Sequence, residues 1–265
     1  MTQLQAHRGV SSDYPENTMA AFRAAVEQGY DYIEFDPKYT SDGEIVILHD
    51  NTLNRTARRT ADGSSLEKQT EINKLTLSEA QLFEYGSWFD GCFKGERLPL
   101  LTDLLDLAVK TGIPLKMDNV WERFPENIKE KMFKILSQYE DSINFGFTCS
   151  CPETVKIAAE RFPKAVIHYD GGDLSEERLR EVSRLAEGHT LYIWVCFDNA
   201  LTSWFKGTKA SSEVCDLARK YGKLGIWILS KREDFEKVMR DICPDIIETT
   251  GHVKPEWLSQ TVKAM

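Results

Sequence analysis

The feature that most constrains the fold is the alternation of short, β-rich apolar segments with amphipathic segments of helical periodicity. Each predicted strand is followed by a loop and usually by a helical pattern. Eight strands with intervening helices predict a TIM (β/α)8 barrel, and a doubly wound open sheet is the alternative. The predicted strands are residues 4–7, 32–36, 114–119, 143–148, 165–169, 191–196, 224–229 and 245–248, and the first predicted helix is 18–28.

Two features interrupt this alternation after the second strand. Residues 40–44 read as a turn and residues 45–49 as an extra strand, which together predict a hairpin. Residues 51–98 are polar, aromatic and irregular, with a helical patch near 78–85. The sequence therefore predicts one barrel domain, 1–265, with an insertion at about 51–98 and a short last segment at 255–265. An insertion here would lie over the C-terminal mouth of the barrel, where active sites of this fold occur.

The composition excludes several classes of protein. The formal net charge of -9 argues against nucleic acid as the main partner, because binding a phosphate backbone needs a basic surface. No apolar signal core opens the chain, and no segment approaches the roughly 20 apolar residues of a membrane span. These observations predict a cytoplasmic protein without stable membrane insertion. Six cysteines are too sparse for a disulfide scaffold. Cys149 and Cys151 form a C-x-C pair without a second pair at zinc-finger spacing, so we expect both to be small buried side chains rather than metal ligands.

Four polar clusters fall at predicted strand ends: His7-Arg8-Gly9, Glu34-Phe35-Asp36, His49-Asp50 and Lys116-Met117-Asp118. Residues i and i+2 of a strand share one face, so Glu34 pairs with Asp36 and Lys116 with Asp118. Charges inside a closed barrel are costly unless they bind a metal ion or a charged ligand. Three carboxylates on adjacent strands suit one hard divalent cation, Mg²⁺ or Ca²⁺.

Each cluster alone also has an ordinary structural explanation. An E-x-D pair is often a solvated rim, a single histidine is often only hydrogen-bonded, and Lys116 and Asp118 could pair for stability. A site is predicted because the clusters meet at one end of three consecutive parallel strands.

The order of short motifs resembles the glycerophosphodiester phosphodiesterase family. The matching residues are His7-Arg8-Gly9, Pro15-Glu16-Asn17-Thr18, Ala21-Phe22, Gly29, Ile33-Glu34-Phe35-Asp36, Thr40-Ser41-Asp42-Gly43, Leu48-His49-Asp50 and Leu53-Asn54-Arg55-Thr56, with weaker matches at Leu98-Pro99-Leu100-Leu101, Gly225-Ile226-Trp227-Ile228 and Asp245-Ile246-Ile247-Glu248-Thr249. The resemblance spans the chain and is most specific in its first 56 residues.

This resemblance implies a TIM barrel that hydrolyses glycerophosphodiesters to glycerol phosphate and an alcohol. It implies His7 and His49 as the acid–base pair, and Arg8 on the phosphate. A divalent cation would lie on Glu34, Asp36 and a third carboxylate, which we assign to Asp118. The substrate would be a small phosphodiester. Its glycerol hydroxyl could attack first and give a cyclic phosphate that water then opens.

The third strand departs from the family pattern. The family usually has E-x-K there, whereas this chain has Lys116-Met117-Asp118-Asn119-Val120. If Asp118 corresponds to the glutamate of this pattern, then Val120 occupies the position of the family's lysine. We hypothesise that Lys116 supplies the missing charge from one layer deeper, in which case Lys116→Met would cost at least about tenfold in kcat or KM. Trp227 is a further substrate-binding candidate, alongside Trp194 and Tyr169, although core packing explains these aromatic residues equally well.

Other functions remain alternatives. A cyclising lyase resembling the spider-venom phospholipases D would favour an exposed apolar lip. A weakly catalytic phosphodiester-binding protein would not need two histidines together with the carboxylates. A zinc amidohydrolase would need H-x-H on the first strand, where Gly9 stands instead. The sequence leaves open the alcohol head group, the choice between Mg²⁺ and Ca²⁺, and the oligomeric state.

Overall fold

The strands of the protein define its architecture in the computed structural model, which describes residues 1–258. Twelve strands are present: β1 Gln3–Ala6, β2 Tyr32–Phe35, β3 Pro37–Tyr39, β4 Ile45–Ile47, β5 Arg58–Arg59, β6 Phe83–Glu84, β7 Leu115–Met117, β8 Phe145–Cys149, β9 Val166–Tyr169, β10 Leu191–Cys196, β11 Lys223–Leu229 and β12 Ile246–Thr249. The α-helices are α1 Met19–Glu27, α2 Leu77–Ala80, α3 Leu101–Thr111, α4 Glu126–Tyr139, α5 Pro152–Arg161, α6 Glu176–Leu185, α7 Ser212–Arg219 and α8 Arg232–Asp241.

Eight parallel strands form a closed barrel in the order β1-β12-β11-β10-β9-β8-β7-β2, and β2 pairs with β1 to complete it. Every predicted barrel strand overlaps one of these eight. The TIM barrel is therefore confirmed, and the open sheet is excluded because a closed barrel has no edge strands. Helix α1 begins where expected, with the Thr18 hydroxyl accepting a hydrogen bond from the Ala21 amide.

The alternation of side chains along each strand divides the apolar core into two parts. Ile33, Phe35 and Ile167 point outwards into the large cluster between the barrel and its helices. Tyr32, Tyr192 and Trp194 belong to a smaller cluster inside the barrel. On β2, Glu34 follows Tyr32 on the inward face, so the interior changes from aromatic to charged towards the carboxyl end.

The predicted hairpin is present, because β3 and β4 pair antiparallel with Lys38 opposite Val46. The helical patch predicted near 78–85 is wrong in its second half. Helix α2 ends at Ala80, and Phe83–Glu84 instead pairs as β6 with β5. Phe83 and Glu84 pair with a strand that lies more than twenty positions earlier, and a local helical pattern cannot reveal that pairing.

Segment 51–98 also has a core of its own. Leu53, Ile72, Ala80 and Tyr85 are buried together in a cluster separate from the barrel–helix core. The single-domain assignment and the position of this segment over the mouth stay predictions.

Of the final segment predicted at 255–265, residues 259–265 lie outside the described part. In residues 1–258, no helix is both long and apolar enough to cross a bilayer. All six cysteines lie in this part of the chain and carry free thiols. Cys149 is buried, as expected, whereas Cys151 is only partly buried.

Candidate active site

The turn after β1 places His7 and Arg8 at the carboxyl end of the barrel. Arg8 has φ of 59° and Gly9 has φ of 77°, both left-handed. A side chain on Gly9 would come within 2.7 Å of Ala21, so only glycine lets this turn pack against α1. An arginine in the left-handed region is a strained conformation that the surrounding contacts must hold in place.

His7 lies beside the first carboxylate of β2. Its Nε2 is 3.9 Å from Glu34 Oε2, and its side chain is only partly exposed. Burial is the largest effect on this imidazole and, with the nearby Arg8 charge, lowers the pKa of His7 well below its usual value. Neutral His7 can therefore accept a proton at neutral pH.

The carboxylates of Glu34 and Asp36 are buried and held by Arg8 and Asn17. The Arg8 amide donates to Glu34 Oε2 at 2.9 Å, and Arg8 Nε lies 3.2 Å from Asp36 Oδ2. Asn17 Nδ2 donates to the same Asp36 oxygen at 2.7 Å. Asp118 follows β7, the strand that pairs with β2.

The electrostatics of these carboxylates fit a cation. Burial and the neighbouring Asp36 and Glu248 charges raise the pKa of Glu34 well above its usual value. Burial and Asp36 also raise the pKa of Asp118 to about 6. Burial opposes the charge of Asp36, but Arg8 and its other partners outweigh it and lower the pKa of Asp36. Acidic oxygens that disfavour one another's charge are the donor set that a hard divalent cation stabilises.

The oxygen atoms of Glu34, Asp36 and Asp118 do not surround a common metal position in this structure. Among residues 1–258, no three histidine, cysteine, aspartate or glutamate side chains have the arrangement of a formed metal site. Arg8 instead lies against both Glu34 and Asp36. The residue types thus fit a cation, and the assignment of Glu34, Asp36 and Asp118 as its ligands stays a prediction.

A continuous polar network runs from His49 to Arg8, the residue that follows His7 in the chain. His49 Nδ1 lies 2.6 Å from Asp50 Oδ1, and Arg55 Nε donates to Asp50 Oδ2 at 2.8 Å. Arg55 also donates twice to Glu16, at 2.7 and 2.8 Å. Glu16 in turn accepts from Arg8 at 3.0 Å, next to His7. The two histidines line different cavities, and this network fixes their surroundings relative to each other.

The charges in this network are strongly stabilised. Burial opposes ionisation of Glu16, but Arg55 and Arg8 lower the pKa of Glu16 to about 2. Burial likewise opposes ionisation of Asp50, but Arg55 and His49 lower the pKa of Asp50 to about 2. The hydrogen bonds that Arg55 donates to Glu16 and Asp50 raise the pKa of its guanidinium. The forked geometry of arginine suits such two-sided carboxylate binding.

Lys116 points into the barrel, as its position predicted, but its charge is already paired. Its ammonium lies 2.9 Å from Glu248 Oε2 and 4.1 Å from the centre of the Trp194 ring. Burial opposes the ammonium charge, but Glu248 and Glu34 outweigh it and raise the pKa of Lys116. A role for Lys116 on the substrate phosphate stays a prediction, and the pairing favours a structural role.

The three candidate aromatic residues have different surroundings. Tyr169 faces outwards into the barrel–helix core and donates to the Asp173 carbonyl, so it does not line the interior. Trp194 is buried inside the barrel and donates to His168 Nδ1 at 3.0 Å. Trp227 packs against Phe205 and Trp204, and its indole N–H acts on the Asp170 carboxyl, where burial raises the pKa of Asp170 and the indole opposes that effect.

Sequence reasoning did not assign a catalytic-site role to Arg55, Asp170 or Glu248, and it gave Glu16 only an orienting role. Asp170 follows the end of β9, and burial raises the pKa of Asp170 to about 8. Asp36 was predicted as a site residue because it is an acidic residue at the end of a strand. Asp170 has the same position relative to β9 and could have been predicted in the same way. Glu248 could have been found as the inward residue of β12. Arg55 lies in a quoted motif, but its partners come from distant loops.

The fold and the site together define a TIM-barrel protein with histidines and carboxylates at the carboxyl ends of its strands, the end where enzymes of this fold carry out their chemistry. Among solved structures, an Oleispira antarctica phosphodiesterase in complex with the product sn-glycerol-3-phosphate superposes with a TM-score of 0.75, at 20% identity and over 99% of this chain and 97% of that chain. A glycerophosphoryl diester phosphodiesterase from Parabacteroides distasonis gives a TM-score of 0.73 at 19% identity, over 100% of this chain and 87% of that chain. At these identities the likeness concerns the fold.

The sequence comparisons identify the family. The model of the glycerophosphoryl diester phosphodiesterase family matches residues 7–201, so the chain belongs to this family, as its motifs predicted. Glycerophosphodiester phosphodiesterase of Caldanaerobacter subterraneus is 29% identical over 252 residues, 90% of each chain. Human glycerophosphodiester phosphodiesterase 1 is 53% identical over 151 residues, 57% of this chain and 43% of that one. Several other curated relatives are matched over only about half of their length.

Proposed function

We propose that this protein hydrolyses glycerophosphodiesters to glycerol phosphate and an alcohol, with His7 and His49 as the acid–base pair. The observation that carries this proposal is the network through Arg8, Glu16, Arg55 and Asp50, because it links His49 to the turn that bears His7, 42 positions earlier in the chain. The family match and the product-bound phosphodiesterase of the same fold support it.

The two histidines differ in ways that suit opposite roles. His7 is kept neutral by burial and by Arg8, which suits a base that takes the proton from the glycerol hydroxyl. The carboxylate of Asp50 lies on Nδ1 of His49, which orients the ring and stabilises an imidazolium. His49 then gives its proton to the leaving alkoxide through Nε2.

The reaction balances in two steps. First, the glycerol oxygen forms a bond to phosphorus, the bond to the alcohol oxygen breaks, and a cyclic phosphate remains. Water then attacks this phosphate, with neutral His49 taking its proton and protonated His7 giving one to the departing glycerol oxygen. Both residues return to their starting states.

Positive charge at the site counters the charge that develops on the phosphate. Arg8 follows His7 in the turn after β1, with its guanidinium against Asp36 and Glu16. Glu34, Asp36 and Asp118 would hold one divalent cation, Mg²⁺ or Ca²⁺, which would supply further electrostatic stabilisation of the phosphate. Trp227 would contact the substrate with its indole, and Lys116 would stabilise the barrel interior next to the site.

The test is release of alcohol from glycerophosphocholine and glycerophosphoethanolamine, followed by phosphorus NMR of the products. We expect EDTA to abolish turnover, Mg²⁺ or Ca²⁺ to restore it, and a glycerol monophosphate to accumulate. An end product that stays cyclic would identify the cyclising lyase instead. Failure of the metal-loaded, folded protein to cleave either substrate or any other glycerophosphodiester would refute the proposed hydrolysis.

A further inference from the structure

Within residues 1–258, Lys38 is a nearly buried lysine without a hydrogen-bonded or ion-paired carboxylate. Lys38 lies in β3 of the hairpin, and the residue is only 6% exposed. Among the described residues its ammonium takes part in no hydrogen bond and no ion pair. By contrast, the buried Lys116 has Glu248, and Lys131 on the neighbouring helix α4 has Glu44 at 2.8 Å. Lys38 is thus a nearly buried cation that the fold leaves without a partner.

The position of Lys38 brings its side chain to the acidic end of the barrel. Lys38 comes two residues after Asp36 in the chain, and it lines one cavity together with His49 and Asp50. Taking an ammonium out of water costs free energy unless other groups restore its hydrogen bonds, and an anionic ligand in this cavity would do so.

The cavity beside Lys38 has a volume of about 580 Å³ and a mixed lining. Lys38 and His49 line it together with the carboxylates of Asp50 and Glu71, and Val120 adds an apolar part of the wall. The charge of Asp50 is already bound by Arg55. Arg123 lines the same cavity, but it is exposed to solvent. Its interaction with an anion is therefore screened more strongly than that of Lys38.

We propose that Lys38 binds the phosphate group of the substrate in this cavity, beside the proton donor His49. The inference rests on the proposed function and deepens it by adding a substrate-binding residue. The compact ammonium of lysine can give up to three hydrogen bonds to phosphate oxygens while it neutralises their charge. In this arrangement Lys38 holds the phosphate against His49, and the paired Lys116 supports the barrel interior beneath it.

The experiment measures binding of inorganic phosphate and sn-glycerol 3-phosphate by calorimetry to the full chain, with Mg²⁺ present. The variants are Lys38→Met, Lys38→Arg and Lys131→Met, the last being a lysine whose charge Glu44 already satisfies. We expect Lys38→Met to weaken phosphate binding by about tenfold or more, which corresponds to about 1.4 kcal/mol. Lys38→Arg should stay within about threefold of the wild type, and Lys131→Met should bind normally.

A second pair of variants leaves Lys38 in place in case Lys38→Met does not fold. Val120→Asp would put a carboxylate in the same half-exposed cavity, and Val120→Asn is its neutral control. We expect only the aspartate variant to lose phosphate affinity. Turnover of glycerophosphocholine should show the Lys38→Met defect mainly in KM, because a ground-state phosphate contact is lost.

The proposal is overturned if folded Lys38→Met binds phosphate as the wild type does, or if Val120→Asp and Val120→Asn behave alike. A defect confined to Arg123→Met would assign the phosphate to that residue instead and would also overturn it. These results are independent of the proposed function, which fails only if the wild-type protein cleaves no glycerophosphodiester. An inactive protein that still loses phosphate affinity in Lys38→Met would keep the binding site and remove the hydrolysis.

Discussion

At the scale of single residues, the site depends on carboxylates that share arginines. Glu16 accepts hydrogen bonds from both Arg8 and Arg55, and Asp50 accepts from Arg55 while contacting His49. The residue types at the site could be predicted from the sequence, because polar residues after strand ends in a parallel barrel meet at one mouth. The pairing of Glu16 with Arg55 could not, since it depends on how two separate loops pack.

The depressed pKa of Glu16 makes a prediction about stability. A carboxylate whose pKa falls from 4.5 to about 2 on folding stabilises the protein above pH 4.5, and this stabilisation is lost as the pH falls towards 2. Glu16→Gln should therefore lower the free energy of unfolding by about 2 kcal/mol at pH 7, with little difference from the wild type near pH 2. Urea denaturation across this pH range measures it. An equal effect at both pH values, or one matched by the exposed Glu187→Gln, would contradict the assignment.

Arg55 makes a prediction about activity. Arg55→Met removes the guanidinium that bridges Glu16 and Asp50, so His49 should lose its orientation while the barrel stays folded. We expect kcat to fall by about 10²-fold with a smaller change in KM. Steady-state kinetics on glycerophosphocholine measures this. Arg59→Met, on the exposed strand β5 of the same segment, is the control and should keep wild-type activity.

At the scale of elements, the barrel strands were predictable and segment 51–98 was only partly so. A strand such as β10, Leu191–Cys196, is marked by a continuous apolar run bounded by polar residues, which local sequence alone provides. Strands β5 and β6 have two residues each and exist through pairing with each other. A strand of two residues is too short to produce a recognisable pattern in the sequence. The predicted helical patch near 78–85 was therefore extended into β6.

The separate core of segment 51–98 makes a prediction about its stability. Leu53 is fully buried in that core, and Leu82 in the same segment is 68% exposed. We expect Leu53→Ala to cost about 2–5 kcal/mol, whereas Leu82→Ala should stay within about 0.5 kcal/mol of the wild type. Denaturation combined with hydrogen exchange measures both. Loss of exchange protection should be largest in segment 51–98 for Leu53→Ala, and a uniform loss across the barrel would contradict a separate core.

At the scale of the whole molecule, an acidic chain concentrates negative charge at the mouth of its barrel. The formal net charge is -9, and Glu34, Asp118 and Asp170 all have raised pKa values beside one another's charges. Such a mouth repels an anionic substrate unless cations are present. Arg8, Lys38 and a divalent cation together would make the electrostatic potential at the mouth positive, while the outer surface stays acidic.

This charge arrangement makes a prediction about metal binding. A cation that binds only the folded protein stabilises it by about 2.7 kcal/mol at a hundredfold excess over its Kd. Mg²⁺ or Ca²⁺ should therefore raise the melting temperature of the wild type, and EDTA should reverse the rise. Glu34→Gln should lose this response, whereas the exposed Glu187→Gln should keep it. An undiminished response in Glu34→Gln would place the cation elsewhere.

The central claim is that His7 acts as base and His49 as acid, and substrates with different leaving groups test it most directly. A glycerol phosphodiester of p-nitrophenol has a leaving group that needs no proton, whereas choline does. We predict that His49→Ala loses about 10²–10⁴ in the rate at which the alcohol is released from glycerophosphocholine in a single turnover, but recovers most of that rate for release of nitrophenol. His7→Ala should be defective on both substrates, and His189→Ala, with its ring on the Ala165 carbonyl, on neither. Equal defects of His49→Ala on the two substrates would contradict the assigned roles.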